Sequence, residues 1–118
     1  MKVYESEWNV LEVIWEKKEI KASEIAVILN DKIGWNRNTT YTIIKRCLEK
    51  NMIQRIDPGF ICKAVIQKDE VLEKEADDII EERFGGSLSC FVAAFAKTNK
   101  LSKDEVEDII SILGWGDE

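Results

Sequence analysis

Residues 36–51, NRNTTYTIIKRCLEKN, form the segment that most restricts how this chain can fold. On an α-helix, which turns by about 100° per residue, Ile43, Ile44 and Cys47 fall on one side. Thr40 lies behind them, and the opposite side with its flanks carries Arg37, Asn38, Thr39, Tyr41, Thr42, Lys45 and Arg46. Asparagine and threonine can bind base edges and phosphates, and lysine and arginine can bind the DNA backbone. The segment therefore predicts a DNA-binding helix, with an ordinary polar helix surface as the alternative.

The segments around this helix predict a winged helix. A first amphipathic helix is expected after Ser6, a candidate N-cap, and a second one begins at Ser23. A turn follows, and Asn36 is expected to cap the third helix. Beyond Asn51 the pattern becomes that of two strands, joined by Asp-Pro-Gly at residues 57–59. The prediction is a mainly α fold of the α+β class, with an N-terminal three-helix winged helix-turn-helix and a β-hairpin wing.

Residues 69–118 are predicted to form a second, helical lobe that dimerises, while residues 1–68 form the DNA-binding domain. Ser87 and the S-x-x-E capping box at Ser102 mark the starts of its later helices, and Trp115 is expected to fold back beyond the last one. A lobe of this size is marginal alone, so we expect a homodimer, with packing against the first lobe as the alternative. The residues expected at the dimer interface are Leu72, Ile79, Ile80, Leu88, Phe91, Val92, Phe95, Ile109, Ile110 and Leu113.

The net charge of −6 conceals a division between the two predicted lobes. Residues 1–68 carry 12 Lys or Arg and 9 Asp or Glu, whereas residues 69–118 carry 5 and 14. Residues 32–55 alone contain six cations and one acid. This asymmetry indicates that only the first lobe can provide an electrostatic footprint for DNA.

The three cysteines, Cys47, Cys62 and Cys90, stand far apart, and each has apolar neighbours. The chain has no histidine and no CxxC motif, so a structural zinc site or a disulfide framework is disfavoured. We expect all three to be small buried hydrophobic residues, with a thiol redox sensor as the alternative. No metal site and no cofactor is predicted. Phosphate-binding glycine motifs and nucleophile–base arrangements are missing too, so the chain is not expected to be an enzyme.

The cellular location is predicted from the pattern of apolar residues. No apolar run approaches the roughly 18 residues that cross a bilayer, and no signal peptide is recognised. A hydrophobic content of 45% with 34% charged residues fits a globular chain. The expectation is a cytoplasmic protein with no membrane insertion.

Three stretches, SEWNVLEVIWEKK, WNRNTTYTIIKRCLEKNMIQR and LSKDEVEDIISIL, resemble the penicillinase and methicillin-resistance repressor family (BlaI/MecI), with the related copper-responsive repressor CopY. The most specific part is Trp35 followed by Thr39-Thr40-x-Thr42 and Arg46. The resemblance implies a bacterial winged-helix repressor that dimerises through a C-terminal three-helix domain and binds a palindromic operator in double-stranded DNA. It places the contacts of the recognition helix at Asn38, Thr39, Tyr41 and Thr42, with Arg46 as the later basic position.

The chain departs from this family pattern in three places. β-Lactam-responsive members are cleaved at an Asn-Phe bond, and the corresponding pair here is Ala94-Phe95. The resemblance thus implies a membrane sensor protease as a candidate partner, but the asparagine of the cleaved bond is missing. The C-terminal CxC pairs of the copper-responsive branch are absent, which argues against copper sensing. The wing has no Lys or Arg at its tip, so weak wing contacts to phosphate are expected.

Two functions from different classes fit these patterns. The favoured prediction is a homodimeric DNA-binding transcriptional repressor that places the helix at residues 36–51 in the major groove of a palindromic operator. The alternative is a winged-helix module for protein–protein interaction, whose acidic helical tail docks a basic partner.

Overall fold

The computed structural model describes residues 2–114, which contain six helices and three short strands. The chain divides into two compact units between Lys74 and Glu75, whereas the boundary predicted from the sequence lies between residues 68 and 69. The elements in chain order are α1 (Glu5–Lys17), β1 (Glu19–Lys21), α2 (Ala22–Ile33), α3 (Arg37–Glu49), β2 (Ile53–Ile56), β3 (Ile61–Ala64), α4 (Lys68–Arg83), α5 (Leu88–Thr98) and α6 (Lys103–Leu113).

The first unit is the predicted winged helix. Its three strands form an antiparallel sheet in the order β1-β3-β2, so the wing hairpin gains β1 as a third strand. Cys62 at the centre of the sheet lies opposite Ile20 on one side and Arg55 on the other. Helices α1, α2 and α3 pack over a core whose fully buried members include Val10, Leu11, Ile14, Ile25, Leu29, Ile44 and Met52. The predicted mainly helical winged-helix fold is confirmed.

The first two helices begin earlier than the sequence predicted, so Ser6 is not an N-cap and α2 starts before Ser23. Helix α1 is capped at Tyr4, whose backbone N–H donates to Glu7 Oε1 at 2.9 Å. A carboxylate in the first turn can satisfy this donor without a short polar residue at the cap. Helix α2 follows directly from β1, and the backbone N–H of Ala22 donates to the carbonyl of Phe60 at 2.9 Å. The wing therefore supplies a partner for one of the backbone N–H groups that the start of a helix leaves without an intrahelical acceptor.

The second unit contains the later part of α4 together with α5 and α6. The predicted caps are confirmed, since Ser87 Oγ accepts from the Cys90 N–H at 3.2 Å and Ser102 Oγ from the Glu105 N–H at 3.0 Å. No residue of α5 or α6 is buried within the chain. Trp115, expected to fold back on the last helix, lies outside the described residues.

The cysteines do not share one environment. Cys47 and Cys62 are fully buried, as expected, but Cys90 is exposed, so the prediction was wrong for this residue. Its apolar neighbours in the sequence belong to α5, a helix without buried side chains. Burial, with a smaller contribution from the Glu7 carboxylate, raises the pKa of the Cys47 thiol from 9.0 to about 12. Burial likewise raises the pKa of the Cys62 thiol to about 11.

Alkylation of the folded protein at pH 9 should modify Cys90 and leave Cys47 and Cys62 intact. The buried thiols keep their protons, because their pKa values lie above the ordinary 9.0, and the thiolate is the reactive form. Peptide mass spectrometry after brief iodoacetamide treatment measures this, and Cys90→Ser should abolish the native-state labelling. Labelling of Cys47 as fast as Cys90 would contradict the prediction.

The same two buried thiols make the stability of the fold depend on pH. In the unfolded chain Cys47 and Cys62 ionise near pH 9, whereas in the folded chain they keep their protons to higher pH. The free energy of unfolding should therefore keep its full value below pH 9 and fall as the pH rises towards 11–12.

Candidate nucleic-acid interface

Helix α3 is held in place at its start by a tight turn. Gly34 adopts the left-handed conformation with φ 75°, and its N–H donates to the carbonyl of Asn30 at 3.0 Å. The side-chain amide of Asn30 donates to the carbonyl of Trp35, also at 3.0 Å. Asn36 is the N-cap predicted from the sequence, and its Oδ1 accepts from the Thr39 N–H at 2.8 Å. The start and direction of α3 are thereby set by α2 and the turn between them.

Burial of one face of α3 turns the other face towards solvent. The side predicted to face inward is buried, and it consists of Thr40, Ile43, Ile44 and Cys47. At the far end Asn51 has φ 59°, a left-handed conformation that is common just beyond the end of a helix. All seven predicted DNA-binding residues lie on α3; Tyr41 is half-buried, and the exposed ones are Arg37, Asn38, Thr39, Thr42, Lys45 and Arg46. Their role in DNA binding stays a prediction.

Several side chains of this face are available for a ligand. Among the described residues, the side chains of Asn38, Thr39 and Lys45 have no hydrogen-bond or ion-pair partner. The Thr42 hydroxyl donates to the carbonyl of Asn38 at 2.9 Å, which leaves its lone pairs free to accept. Arg46 Nη1 lies 3.4 Å from Ser6 Oγ, a long and exposed contact that a phosphate could replace.

A row of alternating cations and rings extends from α3 to the wing. The Arg37 guanidinium lies 5.0 Å from the centre of the Tyr41 ring, and its Nη2 donates to the Tyr41 hydroxyl at 3.2 Å. The Tyr41 ring meets the ring of Phe60 edge to face, with centroids 5.9 Å apart. Arg55 lies over the other ring of this pair, 3.7 Å from the Phe60 centroid. Sequence reasoning missed Arg55 and Phe60, because only the hairpin brings them to α3.

Two cations near α3 already have carboxylate partners within the protein. Lys50 Nζ lies 2.9 Å from a carboxylate oxygen of Glu7. Arg55 Nε lies 3.0 Å from Asp57 Oδ2 and 3.1 Å from Oδ1, so the cation in the wing is paired there. The local excess of positive charge counted from the sequence is thus smaller in the folded unit. The cations that remain on the outer face of α3 are Arg37, Lys45 and Arg46.

The residues predicted for dimerisation form apolar faces that the chain itself does not cover, and all of them lie in the second unit except Leu72, which belongs to the first. Phe91 contacts Phe84 edge to face at 5.4 Å and stacks with Phe95 at 6.5 Å, so part of the second unit does pack. Ile80 and Phe91 are half-buried, and the exposed members are Leu72, Ile79, Leu88, Val92, Phe95, Ile109, Ile110 and Leu113. Ala94 and Phe95, the candidate cleavage position, are both exposed on α5.

Residues 2–114 contain neither a candidate membrane span nor a candidate metal site. None of the helices described there is both long enough and apolar enough to span a membrane. Within the same residues, no group of three or more His, Cys, Asp or Glu side chains could hold a metal ion.

Known proteins resemble the chain over most of its length. A family model described as penicillinase repressor matches residues 4–114. The penicillinase repressor of Staphylococcus aureus is 30% identical over 110 residues, covering 92% of this chain and 87% of that protein. The methicillin resistance regulatory protein MecI of Mammaliicoccus sciuri is 28% identical over 117 residues, covering 95% of each. The penicillinase repressor of Bacillus licheniformis is 23% identical over 113 residues, covering 94% and 88%.

The fold also matches a solved structure, the solution structure of the DNA-binding domain of the repressor BlaI. The TM-score is 0.54 at 22% identity, and the match covers 58% of this chain and 87% of that one. At this level of identity the match supports the winged-helix fold alone. The family resemblance inferred from the residues is confirmed by the family model, which extends through both units. The chain belongs to the penicillinase repressor family.

Proposed function

We propose that this member of a family of DNA-binding transcriptional repressors acts as a homodimer and reads a palindromic operator, with one α3 of each subunit in the major groove. The observation that carries the proposal is the outer face of α3, where polar and cationic side chains are exposed opposite a buried apolar face. A groove-reading helix needs donors and acceptors for base edges together with cations for phosphates. An ordinary solvated helix has no need to concentrate both on one face.

The side chains of α3 divide into two roles in this proposal. Asn38, Tyr41 and Thr42 would approach bases, because amide and hydroxyl groups can match base-edge donors and acceptors. The side chains that would bind phosphates are Arg37, Thr39, Lys45 and Arg46. Since the wing cation Arg55 is paired with Asp57, most of the electrostatic affinity would come from α3.

The second unit would supply the dimer. Its helices α5 and α6 bury no residue within one chain, yet they present apolar side chains at helical spacing. A second copy covers such faces by two-fold symmetry, which also matches the symmetry of a palindromic site. The acidic charge of the second unit would be repelled by DNA phosphates, so this unit would not bind DNA itself.

Binding to DNA should weaken steeply with salt, and the slope identifies which residues contact phosphate. Each phosphate neutralised contributes about 0.9 to the slope of log K against log salt. Arg46→Ala should weaken all sequences alike and lower the slope by about 1.8, because each of the two subunits loses one phosphate contact. Asn38→Ala should leave the slope unchanged and reduce the preference for the operator over other DNA. The measurement is fluorescence anisotropy with duplexes from the region upstream of the protein's own coding sequence, between 50 and 300 mM salt.

The same titration tests the proposal against its alternative. A dissociation constant that does not change with salt would overturn DNA binding through α3. It would favour the protein–protein interaction module, for which the acidic second unit is the supporting feature. The matched control is Lys97→Ala, which removes a cation from α5 and should leave the slope unchanged.

A further inference from the structure

Tyr41 stands apart from the other outward side chains of α3. The rest of that face is exposed, whereas Tyr41 is half-buried and packs against the core. Its neighbour on the same helix, Arg37, is exposed. The contact that can fix the Tyr41 ring comes from the wing, where Phe60 meets it edge to face at an interplanar angle of 76°. Aromatic pairs in this geometry stabilise a structure by more than the burial of their apolar surface alone would do.

Phe60 is itself held from several directions. Its backbone N–H donates to Asp57 Oδ1 at 3.3 Å, and its carbonyl accepts from the Ala22 N–H at 2.9 Å. The guanidinium of Arg55 covers its ring at 3.7 Å. Its φ of 49° lies in the left-handed region, which is an unfavourable conformation for a bulky side chain. A strained residue persists only where its surroundings fix it, and such residues concentrate at functional sites.

We propose that Phe60 is a positioning residue for DNA reading, because its ring fixes the Tyr41 side chain, and through it Arg37, against the outer face of α3. This inference rests on the proposed function and adds a specificity-determining residue that lies outside the recognition helix. The wing then contributes to sequence preference without touching DNA at its tip. The hydrogen bond from the Ala22 N–H to the Phe60 carbonyl links the backbone of the same residue to the start of α2.

The test compares base preferences and does not require the operator to be known. Wild type, Phe60→Gly, Tyr41→Ala and the double variant each select from a randomised double-stranded DNA library. Phe60→Gly removes the ring and relieves the left-handed conformation, so urea unfolding should show little loss of stability. At the base positions where Tyr41→Ala loses its preference, Phe60→Gly should also lose it. The ratio of affinities for the preferred and the other bases should fall by about three- to tenfold, and the salt slope should not change. The double variant should lose no more than Tyr41→Ala alone.

The outcomes separate this inference from the proposed function. Ile56→Ala, a change on the exposed side of the wing that spares the Tyr41–Phe60 contact, is the matched control and should keep all preferences. If Phe60→Gly keeps the wild-type preference, or if its loss adds to that of Tyr41→Ala, Phe60 does not act through Tyr41 and the inference is overturned. If the wild type selects no sequence at all, the proposed operator reading fails instead.

Discussion

Replacing Lys50 with methionine should lower the free energy of unfolding by about 4 kcal/mol. The carboxylate of Glu7 is fully buried, and Lys50 Nζ donates to both of its oxygens at 2.9 Å. Without the ammonium group, a charged carboxylate stays in the core, and among the described residues the Tyr4 N–H is its remaining hydrogen-bond donor. Burial of an unpaired charge is among the most costly changes that a single substitution can cause. Urea denaturation followed by far-UV circular dichroism measures the loss.

The two partners of this ion pair should respond unequally. The side chain of Lys50 is 27% exposed, and that of Glu7 is 0% exposed. Glu7→Gln leaves an ammonium group that can reach water, so its cost should be about 2 kcal/mol, clearly below that of Lys50→Met. The double variant Glu7→Leu with Lys50→Met should recover most of the loss, because well-packed apolar side chains can replace a buried ion pair. If Lys50→Met lowers the free energy of unfolding less than Glu7→Gln does, the unpaired Glu7 carboxylate is not the main source of the loss.

The same ion pair bears on DNA binding through its position. Lys50 directly follows α3, and Glu7 lies in the first turn of α1, so the pair ties the end of α3, the helix that we propose reads DNA, to the first helix. Lys50 Nζ also donates to the Lys2 carbonyl at 3.1 Å and lies 4.9 Å from the centre of the Tyr4 ring. Lys50→Met should therefore loosen the last turn of α3 before the unit unfolds, which hydrogen exchange can detect.

Ile109→Glu should convert the protein to monomers and weaken binding to a palindromic duplex by about 10²-fold. Ile109 is 41% exposed in the single chain, on the apolar face of α6 that we propose to meet a second copy. A carboxylate there would be buried against apolar groups in the dimer, and the monomer has no need to bury it. Loss of the dimer removes the gain in effective concentration that links two half-sites. Sedimentation velocity and anisotropy on the same sample measure both effects.

Ser111→Glu provides the matched control on the same helix. Ser111 is exposed and lies on the opposite side of α6 from Ile109, so the same charge is added away from the proposed interface. This variant should remain dimeric and bind DNA as the wild type does. A dimer that persists in Ile109→Glu, or one lost equally in Ser111→Glu, would place the interface elsewhere.

The sequence allowed the local features of the site to be predicted, because helix periodicity and capping depend on nearby residues. The burial of Ile43, Ile44 and Cys47 and the cap at Asn36 followed from spacing alone. Lys50 and Glu7, in contrast, are 43 positions apart, and both resemble ordinary surface charges in the sequence. A count of charges cannot distinguish a cation that faces DNA from one that is paired in the core.

The wing shows the same difficulty at shorter range. Residues 57–59 correctly predicted a turn, but nothing in the local pattern shows that Phe60 reaches Tyr41 or that Arg55 is paired with Asp57. The starts of α1 and α2 were wrong for a related reason, since their caps depend on a side chain in the next turn and on a carbonyl in the wing. Contacts between elements decided these details.

The lack of buried side chains in α5 and α6 has a consequence for regulation. In the dimer we propose, the second unit gains its core from another copy, so its folding becomes a function of how much repressor a cell contains. When subunits are scarce, the amount of dimer rises with the square of their number. Occupancy of the regulated promoter would then follow a threshold, and a modest fall in abundance would be enough to release transcription.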